Sequence, residues 1–350
     1  MSRILNSMGI AAVAVSALLS TSPASASEEV NLYSYRQPFL IEPLLKSFTE
    51  DTGIKVNVVF AKKGMLEKIQ AAGSNNPADA VLTVDIGRLY GLKQAGVFEP
   101  VKSDVLEANI PAHLRDPEGL WFGLTQRSRI VLASKDRVKP GELTSYEDLA
   151  DPKFRGRICV RSGKHSYNIA LIASMIAHHG EGKAKAWLEG VKANLARKPQ
   201  GNDRAQAKAI YEGVCDVAIA NTYYMGKMQT NEKKPEQKQW AESVRVTFLN
   251  QGASDRGAHM NVSGAGVLKG AKHKAYAIKL VEWLSEGKAQ KIYAEDNFEY
   301  PANPKIAVSD IVKSWGDFKA DTLSMEAIAT RREAATKLVD EVNFNEGPTS

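Results

Sequence analysis

The chain has 350 residues, 46 of them Lys or Arg and 40 Asp or Glu, giving a formal net charge of +6. That excess is mild and interspersed, with no basic stripe interleaved with aromatics, which argues against a nucleic-acid partner. Beyond the amino-terminal leader, no apolar stretch approaches the length that crosses a bilayer.

The first 26 residues read as an export signal. Arg3 is their single charge, residues 10–19 form a short apolar core, and Ala24-Ser25-Ala26 is a small-residue cleavage site. With no cysteine near the cut, a lipid anchor is not expected. The expected product is a soluble exported chain starting near Ser27. The remaining length exceeds what one hydrophobic core usually organises, so two domains are expected.

In chain order, residues 30–34 predict a strand and 40–51 a helix stopped by Gly53. A strand over 54–60, a helix over 64–72, a turn at Asn76-Pro77 and a buried strand over 80–84 follow. Strand–helix alternation of this kind specifies an α/β sheet with crossover helices. A second unit begins near Ile130, with buried strands at 158–160 and 214–220. Its helices are expected over 167–178, 183–195 and 205–212, with Gly180 and Gly213 as stops. A strand over 243–249 precedes the glycine-rich run 264–268, which reads as a return to the first unit. Helices over 274–285, 288–295 and 325–342 complete the chain. Crossings between the units are expected near 122–130 and 248–259. Two exported α/β lobes suggest a hinged binding protein with its ligand beyond the carboxyl ends of the strands.

The most informative residues are three tyrosines. Tyr223 and Tyr224 end one predicted buried strand, and Tyr167 follows another. Cys159 and Cys215 stand at matched offsets upstream of Tyr167 and Tyr223. If the two runs are neighbouring parallel strands, the three phenols leave the same sheet edge. The cysteines then lie close, either bridged or as two buried thiols; adjacent-strand geometry is often poor for a disulfide. Asn221 suits a helix N-cap, placing Tyr223 and Tyr224 near N2 and N3, and Ser166 would cap a helix begun by Tyr167. Three phenolates carry the charge and the hard oxygen donors that suit Fe³⁺. Two helix N-termini at the same edge favour a small anion as well.

Longer motifs carry a resemblance. They are Asn31-Leu32-Tyr33-Ser34-Tyr35-Arg36-Gln37-Pro38, Pro77-Ala78-Asp79 with Thr83-Val84-Asp85, and Trp121-Phe122-Gly123-Leu124 with Arg127-Ser128-Arg129. Cys159-Val160-Arg161-Ser162-Gly163-Lys164, the run from Ala196 to Asp203, and Asn221-Thr222-Tyr223-Tyr224 continue the series. Over residues 30–344 the chain resembles the periplasmic ferric-ion-binding proteins of bacterial ABC iron importers. The resemblance implies a two-lobed type II periplasmic-binding-protein fold, each lobe a mixed sheet flanked by helices, joined by a two-strand hinge. It implies a monomer that hands iron to an inner-membrane permease with its ATPase. The family's ligand positions correspond to Tyr167, Tyr223 and Tyr224. One branch adds a histidine–tyrosine pair where this chain has Gln37 and Pro38. The chain therefore resembles the branch in which carbonate, bicarbonate or a similar anion completes the coordination. Arg36 and Gln37 would hold that anion, with Arg129 as a further candidate and Tyr35 as an outer hydroxyl. The implied division is residues 27–125 with 255–300 as lobe 1, 126–254 with 301–345 as the metal-ligand lobe 2, and 346–350 as a tail.

Simpler readings compete. Tyrosines after strands often only pack, with wet hydroxyls. Asp85 reads as a helix cap, His178-His179 as a helix C-terminus and His259 as a hinge residue. Gly163-Lys164-His165 lacks the glycine a phosphate loop needs. No nucleophile–base pair assembles, so no enzyme is expected. The alternative binding function is an organic cation held between the tyrosines, or another small solute.

Overall fold

The computed structural model describes residues 28–348; the expected export signal and the last two residues lie outside them. Nine strands form one mixed sheet. They are β1 (Glu29–Ser34), β2 (Lys55–Phe60), β3 (Ala80–Thr83), β4 (Phe122–Ser134), β5 (Ile158–Cys159), β6 (Val217–Asn221), β7 (Val244–Thr247), β8 (Met260–Val267) and β9 (Tyr300–Pro301). The order is β2-β1-β3-β8-β4-β6-β5, with β7 and β9 also paired to β4.

The first lobe forms as its sequence dictates. The helix Pro38–Thr52 buries Ile41, Leu44, Leu45 and Phe48 on one side. Gly53 stops it at φ 74°, its N–H donating to the Thr49 carbonyl, a conformation that costs glycine little. β1 pairs parallel with β2 and β3, and every residue of β3 is buried, as expected of a strand covered on both faces.

β4 belongs to both lobes. Residues up to Ser128 pair with β8, whereas Arg129 onward pairs with β6, and Val131–Ser134 also with β7. The change of partners between Ser128 and Arg129 marks one crossing. The returning chain runs alongside it: the Arg129 N–H donates to the His259 carbonyl at 3.0 Å. The buried Tyr146 hydroxyl donates to the Arg129 carbonyl and accepts from the His259 N–H, tying both crossings together.

β5 and β6 are parallel neighbours, with Ile158 opposite Val217 and Cys159 opposite Ala218. The predicted strand over 214–220 is shorter at its start. Cys215 and Asp216 belong to the turn before β6, where Asp216 pairs with Arg137 and Arg157. Cys159 and Cys215 form a disulfide with a Cα–Cα separation of 5.9 Å. Cys215 reaches it from the turn rather than from a ladder position, which relieves the adjacent-strand geometry. A compact cluster of Ile130, Leu132, Ala218, Met225 and Met228 packs around the bridge.

Two expectations shift. The carboxyl-terminal helix is two helices, Met325–Ala329 and Arg332–Glu341, broken at Thr330 and Arg331. These lie against lobe 2, where Arg332 Nη1 donates to the Ser166 carbonyl and Asn345 Oδ1 accepts from the Gly163 N–H. The chain just after Tyr300 stays with lobe 1 instead: Asn303 Nδ2 donates to the Ser285 carbonyl and its N–H to Gln290 Oε1.

The disulfide closes a loop with a sequence separation of 56. Replacing both cysteines by alanine is expected to cost about 2–4 kcal/mol, read as a lower urea midpoint with a steeper slope, because the freed unfolded chain exposes more surface. An unchanged midpoint would remove the bridge as a stabilising element.

Candidate metal centre

Both parallel strands feed helices at the same edge. β5 leads through residues 160–165 into the helix Ser166–His179, and β6 runs directly into Thr222–Gln229. Tyr167 is therefore the second residue of one helix, and Tyr223 and Tyr224 are the second and third of the other. The cap of the first helix is His165, not Ser166: its Nδ1 accepts from the Tyr167 N–H at 3.3 Å. Burial and the nearby Arg161 charge push the His165 pKa down to about 3, so the ring stays neutral and its lone pair remains available. Asn221 occupies the cap position of the second helix, but its Oδ1 accepts from Arg129 instead of the helix. Buried Met225 and Met228 anchor that helix on the disulfide cluster and fix the direction of its first turn.

The three phenols meet. Tyr167 and Tyr223 hydroxyl oxygens are 3.1 Å apart. The Tyr223 and Tyr224 rings lie 4.4 Å apart at 33°. Burial and the neighbouring phenols raise the Tyr223 pKa well above its ordinary value, and burial with Asp203 nearby raises that of Tyr224 to about 12. Alone, these hydroxyls stay protonated at neutral pH. Only a strong positive charge placed among them would ionise them.

A cleft of about 550 Å³ opens over the cluster. Its lobe 1 wall carries Tyr35, Arg36 and Gln37. Tyr35 is nearly buried, with the Arg88 guanidinium 4.5 Å from its ring centre. Arg36 is 2% exposed; its Nη1 donates to Ser263 Oγ at 3.1 Å and its Nη2 pairs with Glu299.

Arg129 departs from expectation. It does not line the cleft but lies beneath it. Nε and Nη2 donate to Asn168 Oδ1, and Nη1 donates to Asp203 Oδ2 at 2.6 Å and Asn221 Oδ1 at 3.0 Å. A strand residue in mid-β4 faces the lobe interior, and the buried Asp203 carboxylate takes its charge. Lobe 2 presents Arg161 and Arg204 to the cleft instead, and it is Arg161 that shares Asp203 with Arg129. The Arg161 Nη1 donates to Asp203 Oδ1 at 3.0 Å, while its buried Nε has no partner among the described residues. The guanidinium carbons of Arg127, Arg129 and Arg161 stand 5.7, 5.8 and 5.4 Å from the Tyr167 ring centre.

Sequence reasoning missed Arg161, Asp203 and Glu299 as site residues. The first two stood in the motifs already noted. Glu299 carries no local signal, because its partner Arg36 is remote in sequence. Among the described residues, no group of three or more His, Cys, Asp or Glu side chains is placed to hold a metal ion, and no helix is long and apolar enough to cross a membrane.

The family model described as bacterial extracellular solute-binding protein matches residues 75–320. The iron uptake protein A1 of Synechocystis sp. is 44% identical over 318 residues, covering 91% of this chain and 88% of that protein. The apo ferric ion-binding protein A of Pasteurella haemolytica superposes with a TM-score of 0.86 at 53% identity, covering 91% of this chain and 98% of the other. A Trichodesmium protein solved with iron and citrate gives a TM-score of 0.85 at 42% identity, covering 90% and 99%. By fold, length and sequence, this chain belongs to the bacterial extracellular solute-binding protein family.

Proposed function

We propose that the chain captures ferric iron in the periplasm, as a monomer, and delivers it to an ABC-type permease with its ATPase. The carrying observation is the convergence of Tyr167, Tyr223 and Tyr224, whose hydroxyls share one edge of lobe 2 under the cleft. Three tyrosinates would balance the charge of Fe³⁺ with hard oxygen donors. A carbonate-like or other small carboxylate anion would fill the remaining positions, held by Arg36 and Gln37 from lobe 1 and by Arg161 from lobe 2. Arg129 takes a different part in this reading: it braces Asn168, Asp203 and Asn221 beneath the ligands. Export by the leader at residues 1–26 fits the family and the disulfide, since an oxidising compartment preserves such a bridge. In this reading lobe 1 extends to Ser128, where β4 changes partners, rather than to 125, and keeps residues 301–303. The relatives' descriptions as iron uptake and ferric ion-binding proteins support the same cargo. An organic cation is disfavoured because the cleft walls carry seven Lys or Arg side chains and one carboxylate.

Ferric salt added with bicarbonate to the iron-free protein should produce a red to orange phenolate-to-iron band. Tyr223→Phe and Tyr224→Phe should each lower iron retention at least tenfold, about 1.4 kcal/mol or more. A colourless mixture, or full retention in both variants, would defeat the assignment.

Acid should release the metal. Tyr223 and Tyr224 are protonated without metal and would be ionised with it, so binding expels protons and the bound state is favoured as pH rises. Each proton expelled weakens apparent binding about tenfold per unit fall in pH below the phenol range. Proton release measured in weakly buffered solution, corrected for the iron chelate used, should give two to three protons per iron. A value below one would exclude phenolate ligation.

A further inference from the structure

Glu299 is the one carboxylate among the described residues that line the cleft. It is 3% exposed. Its Oε2 accepts from Thr125 Oγ1 at 3.2 Å and from Arg36 Nη2. Arg36 is equally buried, and its Nε has no partner among the described residues. Ser263 Oγ receives both Arg36 Nη1 at 3.1 Å and Arg127 Nη1 at 2.9 Å, which holds the guanidinium in place. Glu299 thus takes from Arg36 the kind of contact that the carboxylate or carbonate of a cargo would take. The segment bearing Glu299 also touches the tyrosine helix. Lys227 Nζ donates to the Asp296 carbonyl, and Phe298 packs on Gly226 where no Cβ would fit.

We propose that Glu299 is an internal competitor for the anion position on Arg36, admitting a small carboxylate or carbonate when it arrives with a trivalent metal and rejecting the same anion when free. This rests on the reading that Arg36 holds the cargo's anion. A free anion entering the site would set its charge beside that of Glu299 and contest the same guanidinium. Buried carboxylates stripped of their cation are strongly disfavoured. An anion coordinated to Fe³⁺ brings compensating charge, so it can share the Arg36 guanidinium with Glu299 without the penalty that a free anion meets. The effect is selection against abundant metal-free carboxylates that would otherwise fill a cleft rich in arginine and lysine.

The test uses the full mature protein, iron-free, titrated calorimetrically with citrate and with bicarbonate. Wild type should bind neither more tightly than about millimolar. Glu299→Gln, which keeps the shape and removes the charge, should bind at least one of them tenfold more tightly. Glu299→Asp, which keeps the charge, should stay within about twofold of wild type. Micromolar citrate binding by wild type, a test that needs no variant, would overturn the proposal, as would equal affinities of wild type and a folded Glu299→Gln. Ferric loading of the same wild-type sample, followed by its phenolate band, reports on the iron reading separately: colour with unchanged anion affinities defeats only the role of Glu299.

Discussion

The site stands on one buried carboxylate. Asp203 is fully enclosed, and its two oxygens accept from Arg129 of β4, from Arg161 after β5 and from the backbone N–H of Asn221 at the end of β6. An enclosed carboxylate is costly unless it is paired and hydrogen-bonded, and here three donors satisfy it. Its pKa is held below the usual range, with the two arginines outweighing burial. In return it fixes the middle of β4 and the ends of β5 and β6 relative to one another. The residues that follow two of them are Tyr167 and the Tyr223–Tyr224 pair. The disulfide fastens the same two strands one step upstream. Phenol convergence is thus a by-product of how the strand ends are clamped.

Much of this was legible because it is periodic or local. Alternating apolar runs and helix stops such as Gly53 located the elements, and the matched offsets of Cys159 and Cys215 anticipated the parallel pairing of β5 with β6. The tyrosines were legible for the same reason, since each follows a buried strand directly. What failed was orientation and remote pairing. Arg129 in mid-β4 and Arg161 just after β5 both pair with Asp203, and only the pleat and the position of that carboxylate decide which one reaches the cleft. Ser166 was the expected cap, yet the neutral, desolvated imidazole of His165 serves as the acceptor. The Arg36–Glu299 pair joins the two ends of lobe 1, and no local pattern signals it.

The electrostatics of the cleft follow from this layout. Its walls are mostly cationic, while its floor is made of neutral phenols. A bare cation approaching it meets repulsion, whereas a metal already carrying anionic oxygen ligands meets attraction. Desolvation opposes ionisation of Tyr223 and Tyr224 in the absence of a metal.

Because β4 runs unbroken from one lobe into the other, and Tyr146 laces it to the returning chain at His259, the halves share a spine instead of a tether. A spine can twist or bend by small angles, but it cannot let the halves drift. A receptor reading both halves at once would then sense cargo as a change of angle alone, over a footprint whose layout never scrambles.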